Sequence, residues 1–137
     1  MLWLLRLLFI GIFASMSGLI VWASLQQPIF GIPAEVTGNP WFIATLFDAY
    51  FAFITFWVFV AWKEPTLGAR ILWFITVILW GNFAMAVYML VELFRIDHIN
   101  RLREVFTVQR EGRLRLPLGF VLAGVAAYAL GAGPLSS

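Results

Sequence analysis

Three apolar runs limit what this chain can fold into. Leu7–Leu25, Phe42–Trp62 and Ile71–Val91 contain one formally charged residue among them, Asp48. A helix rises about 1.5 Å per residue, so about 20 apolar residues cross a hydrocarbon core roughly 30 Å thick. Each of the three runs meets that length. Composition agrees: the 137 residues are 63% hydrophobic and 12% charged, against about 45–50% and about 25% in soluble globular chains. The apolar run that follows Arg6 is longer than the roughly 7–15 residues of a signal core, so the first segment is read as an uncleaved helix.

The expected fold is an all-α integral membrane helical bundle in one domain, 1–137. Its helices fall at about 7–25, 42–62 and 71–94, with a fourth at 116–133. An arginine-rich connection, 95–115, joins the third to the fourth. The last run is short and rich in Gly and Ala, so it either spans, inserts partway or packs behind the others. Trp22, Trp41, Trp62 and Trp73 fall near the predicted helix ends, where an amphipathic indole suits the headgroup layer. The first connection, "QQPIFGIPAEVTGNP", has three prolines and two glycines and reads as loop. The second, "KEPTLGAR", is short enough to make its flanking helices antiparallel neighbours.

Charge placement gives conflicting orientations. Arg6 before a first loop without Lys or Arg puts the start of the first helix inside. The third connection has six arginines against three acids, and it should also be cytoplasmic. An odd number of spans separates the two, so both cannot hold, and the larger count favours the connection. Ile96, Ile99, Leu102 and Phe106 recur there at helical spacing, as in a helix lying on a membrane surface. The "RLRLPL" that follows could instead extend as strand.

Asp48 is the residue most in need of a reason. Counting depth from the loops places it level with Ser15, Ser17 and Gly18 on the first helix and with Asn82, Met85 and Tyr88 on the third. Ala44, Thr45, Asp48, Ala52 and Thr55 share one stripe of the second helix. Gly11, Ser15, Gly18 and Trp22 share one on the first, and Gly81, Ala84, Met85, Tyr88 and Glu92 one on the third. Small residues let helices approach, and embedded polar groups bond between them. The expectation is an intramembrane polar cluster of Asp48, Asn82, Tyr88 and Ser15, with the carboxyl hydrogen-bonded across helices. The same counting predicts an interfacial ion pair, Arg6–Glu64, and a neighbouring pair, Glu92–Arg95. In the last run Gly119, Ala123, Ala127 and Gly131 form a helix-contact stripe at four-residue intervals, suited to packing within the chain or against another copy.

The chain has no cysteine and one histidine, His98, which excludes disulfides, thiolate metal sites and a haem held between two histidines of one chain. No catalytic group, metal site or cofactor is expected, and His98 reads as a solvated side chain.

"NPWFIATLFDAYFAFITFWVFVAWKE" and "ILWFITVILWGNFAMAVYMLVELF" resemble the small membrane proteins known as domain of unknown function 1475. The resemblance rests on Pro40-Trp41, Ala44-Thr45-Leu46, Asp48-x-Tyr50, Trp62-Lys63-Glu64, Leu72-Trp73, the Gly81 region, and Tyr88 before Leu93-Phe94. It covers Asn39 to Phe94 and fades beyond. It implies a compact helical membrane protein with Asp48, Tyr50, Lys63 and Glu64 in its signature and no catalytic role to carry over. The functional expectation is a non-enzymatic component or accessory subunit of a membrane assembly. Its partners would be the lipid bilayer and a homo-oligomer or larger membrane complex, without nucleic acid. The alternative is a small oligomeric proton-coupled transporter or channel using Asp48.

Overall fold

The computed structural model describes residues 1–110 and 114–131, and among these every regular element is helical. Two helices are long and apolar enough to cross a membrane: α1 (Leu2–Gln26) and α3 (Pro40–Lys63). Between them lies a connection with a 3-10 turn, Ile29–Gly31, and one short turn of α-helix, α2 (Ala34–Thr37). Asn39 starts α3, its Oδ1 accepting from the Trp41 and Phe42 amides at 2.9 and 3.4 Å, with Pro40 at the first helical position, where a missing N–H costs nothing. Pro65 ends it, because the residue before a proline is driven out of the helical region and Glu64 is extended.

The third apolar run departs from expectation. In place of one helix over 71–94 there are two, α4 (Leu67–Trp80) and α5 (Asn82–Phe94), broken at Gly81. Gly81 has φ +52° and ψ −128°, a conformation that glycine alone adopts without strain. The break reverses the chain. Trp73 and Tyr88 meet with ring centroids 4.9 Å apart, where a continuous helix would separate them by about 22 Å. A Cβ on Gly81 would stand 2.6 Å from Phe53 Cζ, so the tip is pressed against the middle of α3. Each arm is about 20 Å long, well short of a full span.

α1 packs along α5 in the opposite sense, Trp3 beside Phe94 and Phe13 beside Phe83. α3 runs antiparallel to α4, with Trp57 Nε1 donating to Arg70 O at 2.9 Å. The third connection folds back over the hairpin's open end as α6 (Leu102–Thr107), where Val105 is buried with Leu2, Leu93 and Ile96. The fourth run forms α7 (Arg115–Gly131). The stretch from Arg115 is thus helical, not strand, and residues 132–133 of the expected fourth helix lie outside the described residues. α7 follows α4 in the same direction. Thr76 Oγ1 donates to Pro117 O at 3.2 Å and Trp80 Nε1 to Phe120 O at 2.9 Å.

Burial is lopsided. The core gathers around the open end of the hairpin, while the far halves of α1 and α3 display large apolar side chains such as Leu19, Trp22, Phe47 and Phe51.

Candidate functional site

The open end of the hairpin holds a sealed ionic cluster. Lys63, the last residue of α3, is 2% exposed and Glu92, one turn from the end of α5, is also 2% exposed. The Lys63 ammonium donates to Glu92 Oε2 at 2.6 Å, to Val108 O at 2.8 Å and to Glu104 O at 3.4 Å. The last two acceptors belong to the α6 segment, so α6 adds two carbonyls to the Glu92 carboxylate and the buried ammonium has three acceptors for its three donors. Arg95 donates to the other Glu92 oxygen at 2.5 Å from a partly exposed position.

Beside this pair, Tyr88 OH donates to Glu64 Oε1 at 2.9 Å. The Tyr88 ring is boxed by the edges of Phe56, Phe59 and Trp73, an apolar sleeve with one polar tip. Arg70 Nε donates to the Glu64 carbonyl at 2.8 Å. Glu64 Oε2 is buried without a hydrogen-bond partner among the described residues. Burial pushes the Glu64 carboxyl above the usual carboxylate range. The Tyr88 bond pulls the other way, and the nearby Glu92 adds to the rise. Desolvation of the carboxylate outweighs the donor that Tyr88 provides.

Arg6 reaches the same end from α1 but does not pair with Glu64. Its Nη2 donates to Leu93 O at 3.0 Å and Ile96 O at 2.7 Å, two carbonyls that α5 leaves open at its C-terminus. The guanidinium lies 4.8 Å from the Trp3 ring and 4.6 Å from the Phe94 ring. The depth count put Arg6 at the right level. Two carbonyls that one Nη reaches together and the two rings beneath the guanidinium decided its partner.

The expected polar cluster around Asp48 does not form inside the chain. Tyr88 turns to Glu64, whereas Asp48, Asn82 and Ser15 are each exposed. The whole α3 stripe of Ala44, Thr45, Asp48, Ala52 and Thr55 faces outward. The hydroxyls find acceptors on their own helices: Ser17 on Phe13 O, Thr45 on Trp41 O, Thr55 on Phe51 O. This back-bonding within one helix competes with bonding between helices. On α5 the inward stripe is as expected, with Ala84, Tyr88 and Glu92 buried.

On α7 the face against α4 runs through Pro117, Phe120, Gly124 and Tyr128, one residue around from the expected stripe. Gly119, Ala123 and Ala127 are exposed, and Gly131 is the last residue of the helix. His98 is exposed, its Nδ1 accepting from the Asn100 amide at 3.4 Å. Arg101 and Arg110 both hold Glu104, and the Arg101 hydrogen bond sets that exposed carboxyl below the usual range.

Residues 2–111 match the family described as "Protein of unknown function (DUF1475)". The chain belongs to that family. The match runs from α1 to the end of the α6 segment, so family likeness extends past Phe94, and α7 lies outside it. No curated protein and no solved structure matches. Within the family region, Lys63 and Glu64 form part of the sealed cluster, while Asp48 and Tyr50 lie on exposed positions of α3.

Sequence reasoning missed the Lys63–Glu92 and Glu64–Tyr88 pairs. Lys63-Glu64 directly ahead of a proline was the available signal. Two opposite charges at a helix stop need partners, and a third connection long enough to fold over them supplies some.

Proposed function

We propose that this protein is a non-enzymatic, multi-pass component of a membrane assembly, joined to its neighbours through the outward face of α3. The observation that carries this is Asp48. It stands about 12 Å along α3 from Pro40, on an exposed face of a helix apolar enough to span. A carboxylic side chain facing lipid near mid-helix costs about 2.5–3.5 kcal/mol. Residues of this kind usually face other protein. Ala44 and Ala52 beside it allow close helix approach. Contact with a second copy or a larger subunit removes that cost.

Charge supports a definite placement. Arg6, Lys63, Arg70, Arg95, Arg101, Arg103 and Arg110 all belong to the hairpin's open end, Arg115 opens α7 toward that end, and the first connection has no Lys or Arg. With α4–α5 entering and leaving on one side, the conflict between Arg6 and the six-arginine connection disappears. Both lie in the cytoplasm. α1 and α3 are then the crossings, and the hairpin penetrates to half depth.

A proton-coupled transporter using Asp48 fits less well, because Asp48 lies about 22 Å along α3 from Lys63 and the buried carboxyls. The test is particle mass in mild detergent. Native protein should run as an oligomer or a stoichiometric complex, Asp48→Asn should retain it, and Asp48→Leu should shift at least half of it to monomer. An Asp48→Leu protein of unchanged assembled mass would sink the proposal.

A further inference from the structure

The hairpin is shorter than the helix beside it. α5 accompanies α1 only as far as the Phe13–Phe83 contact, where the ring centroids are 4.6 Å apart. Residues 14–26 of α1, about 20 Å of helix, continue with no part of α5 alongside. α7 closes the other side of this gap. Its Gly124 sits on Leu79 and Trp80, and its Tyr128 ring meets Phe30 of the first connection at 6.1 Å. What is left is a cavity of about 460 Å³, open along one side and lined by Ile20, Pro28, Leu79, Trp80, Ala127 and Tyr128 among others.

Two of its polar side chains are spoken for, and Ser24 adds a single hydroxyl. Trp80 Nε1 donates to Phe120 O and Tyr128 OH to Leu79 O at 3.3 Å, so the wall presented to the cavity is mainly apolar. Ordered water needs two to four polar partners and finds few here. Within a bilayer an open apolar groove of this kind is met more favourably by hydrocarbon than by water. The gap begins at the hairpin tip and ends at the first connection, so it extends over about the 15 Å depth of one leaflet.

We propose that this cavity holds one acyl chain of a membrane phospholipid from the leaflet opposite the arginine-rich end. This rests on the membrane reading above. Native mass spectrometry of the protein extracted in mild detergent provides the test. Wild type should retain one phospholipid mass per chain. Ala127→Trp, which projects an indole into the cavity from an exposed position, should lower the lipid-bound fraction at least tenfold. Leu118→Trp, on α7 outside the cavity lining, should leave it unchanged. Should Ala127→Trp fail to fold, wild type in vesicles of phosphatidylcholine with a mid-chain diazirine gives an independent answer. Adducts should concentrate on 20–24, 79–80 and 124–130. Retention unaltered in Ala127→Trp, no lipid retained by wild type, or labelling spread evenly over α1 and α3 would each overturn the site. Alkaline carbonate washing separates the two failures: a chain that stays in membranes without its lipid sinks the site alone, and a chain that washes off sinks the membrane reading as well.

Discussion

Lys63 and Glu92, 29 residues apart, meet at 2.6 Å with side chains 2% and 3% exposed. This contact ties the end of α3 to the end of α5 and, through the carbonyls of Glu104 and Val108, to the α6 segment above them. Removing one member of a buried pair leaves the other charge uncompensated, at a cost of about 3–5 kcal/mol, whereas replacing both by apolar groups is often neutral. Lys63→Met should therefore lower stability by about 3 kcal/mol, the low end because Arg95 still holds Glu92. Lys63→Met/Glu92→Leu should recover most of the loss. Thermal unfolding in detergent checks both, and a double variant no better than the single one would mean the pair is not the tie.

Gly81 makes the hairpin. Its φ of +52° and the 2.6 Å that would separate an added Cβ from Phe53 are two separate obstacles to any other residue. Strain in a glycine-only region costs about 1–3 kcal/mol and overpacking about 1–3 kcal/mol more. Gly81→Ala should destabilise by at least about 2 kcal/mol. Adding Phe53→Leu should relieve the clash but not the backbone strain, so rescue stays partial. A fully stable Gly81→Ala would show that the chain can straighten there.

The sequence announces helices and the apolar surface clearly, and the signals at their ends act locally: Asn39-Pro40 starts α3, Glu64-Pro65 ends it, and Thr66 Oγ1 accepts from the Ala69 amide to start α4. The hairpin was hidden for a physical reason. Ile71–Val91 is apolar throughout, glycine is common in membrane helices, and the Gly81-Asn82 turn signal is short against a run of spanning length. With the run taken as one span, the depth register on the third helix follows the wrong direction for half its length. That error places Asn82 beside Asp48. Tyr88 and Glu92 keep their inward face because helical periodicity survives the break. Arg6 keeps its level because α1 is continuous, but its carbonyl partners carry no side-chain signal at all.

Glu64 should make stability depend on pH. Its folded-state carboxyl sits above the usual range, chiefly through burial. A group raised on folding contributes stability that is fully present below its unfolded value and lost as pH rises through its folded value. Glu104, lowered by Arg101, acts in the opposite sense and only in acid, so it does not offset Glu64 above about pH 5. Melting in detergent should fall between pH 5 and pH 8 for the wild type. Glu64→Gln, which still accepts from Tyr88, should flatten that slope. Identical slopes in the two proteins would assign the dependence elsewhere.

The proposed half-depth placement of the hairpin makes a sharp topological prediction, and a chain without cysteine is well suited to test it. Gly68 precedes the hairpin's tip and Asn100 follows its return, while Thr37 lies in the first connection. All three are exposed. Single Gly68→Cys, Asn100→Cys and Thr37→Cys proteins in sealed vesicles should react differently with an impermeant maleimide. The first two should label from one side and Thr37→Cys only from the other. A straight helix over 71–94 would instead put positions 68 and 100 on opposite faces. That result would restore the charge conflict and leave the arginines divided between two sides of the membrane. Gly68 and Asn100 on a common face would make the basic end one surface on a single side of the membrane, with α6 lying across it as the cover of the Lys63–Glu92 pair.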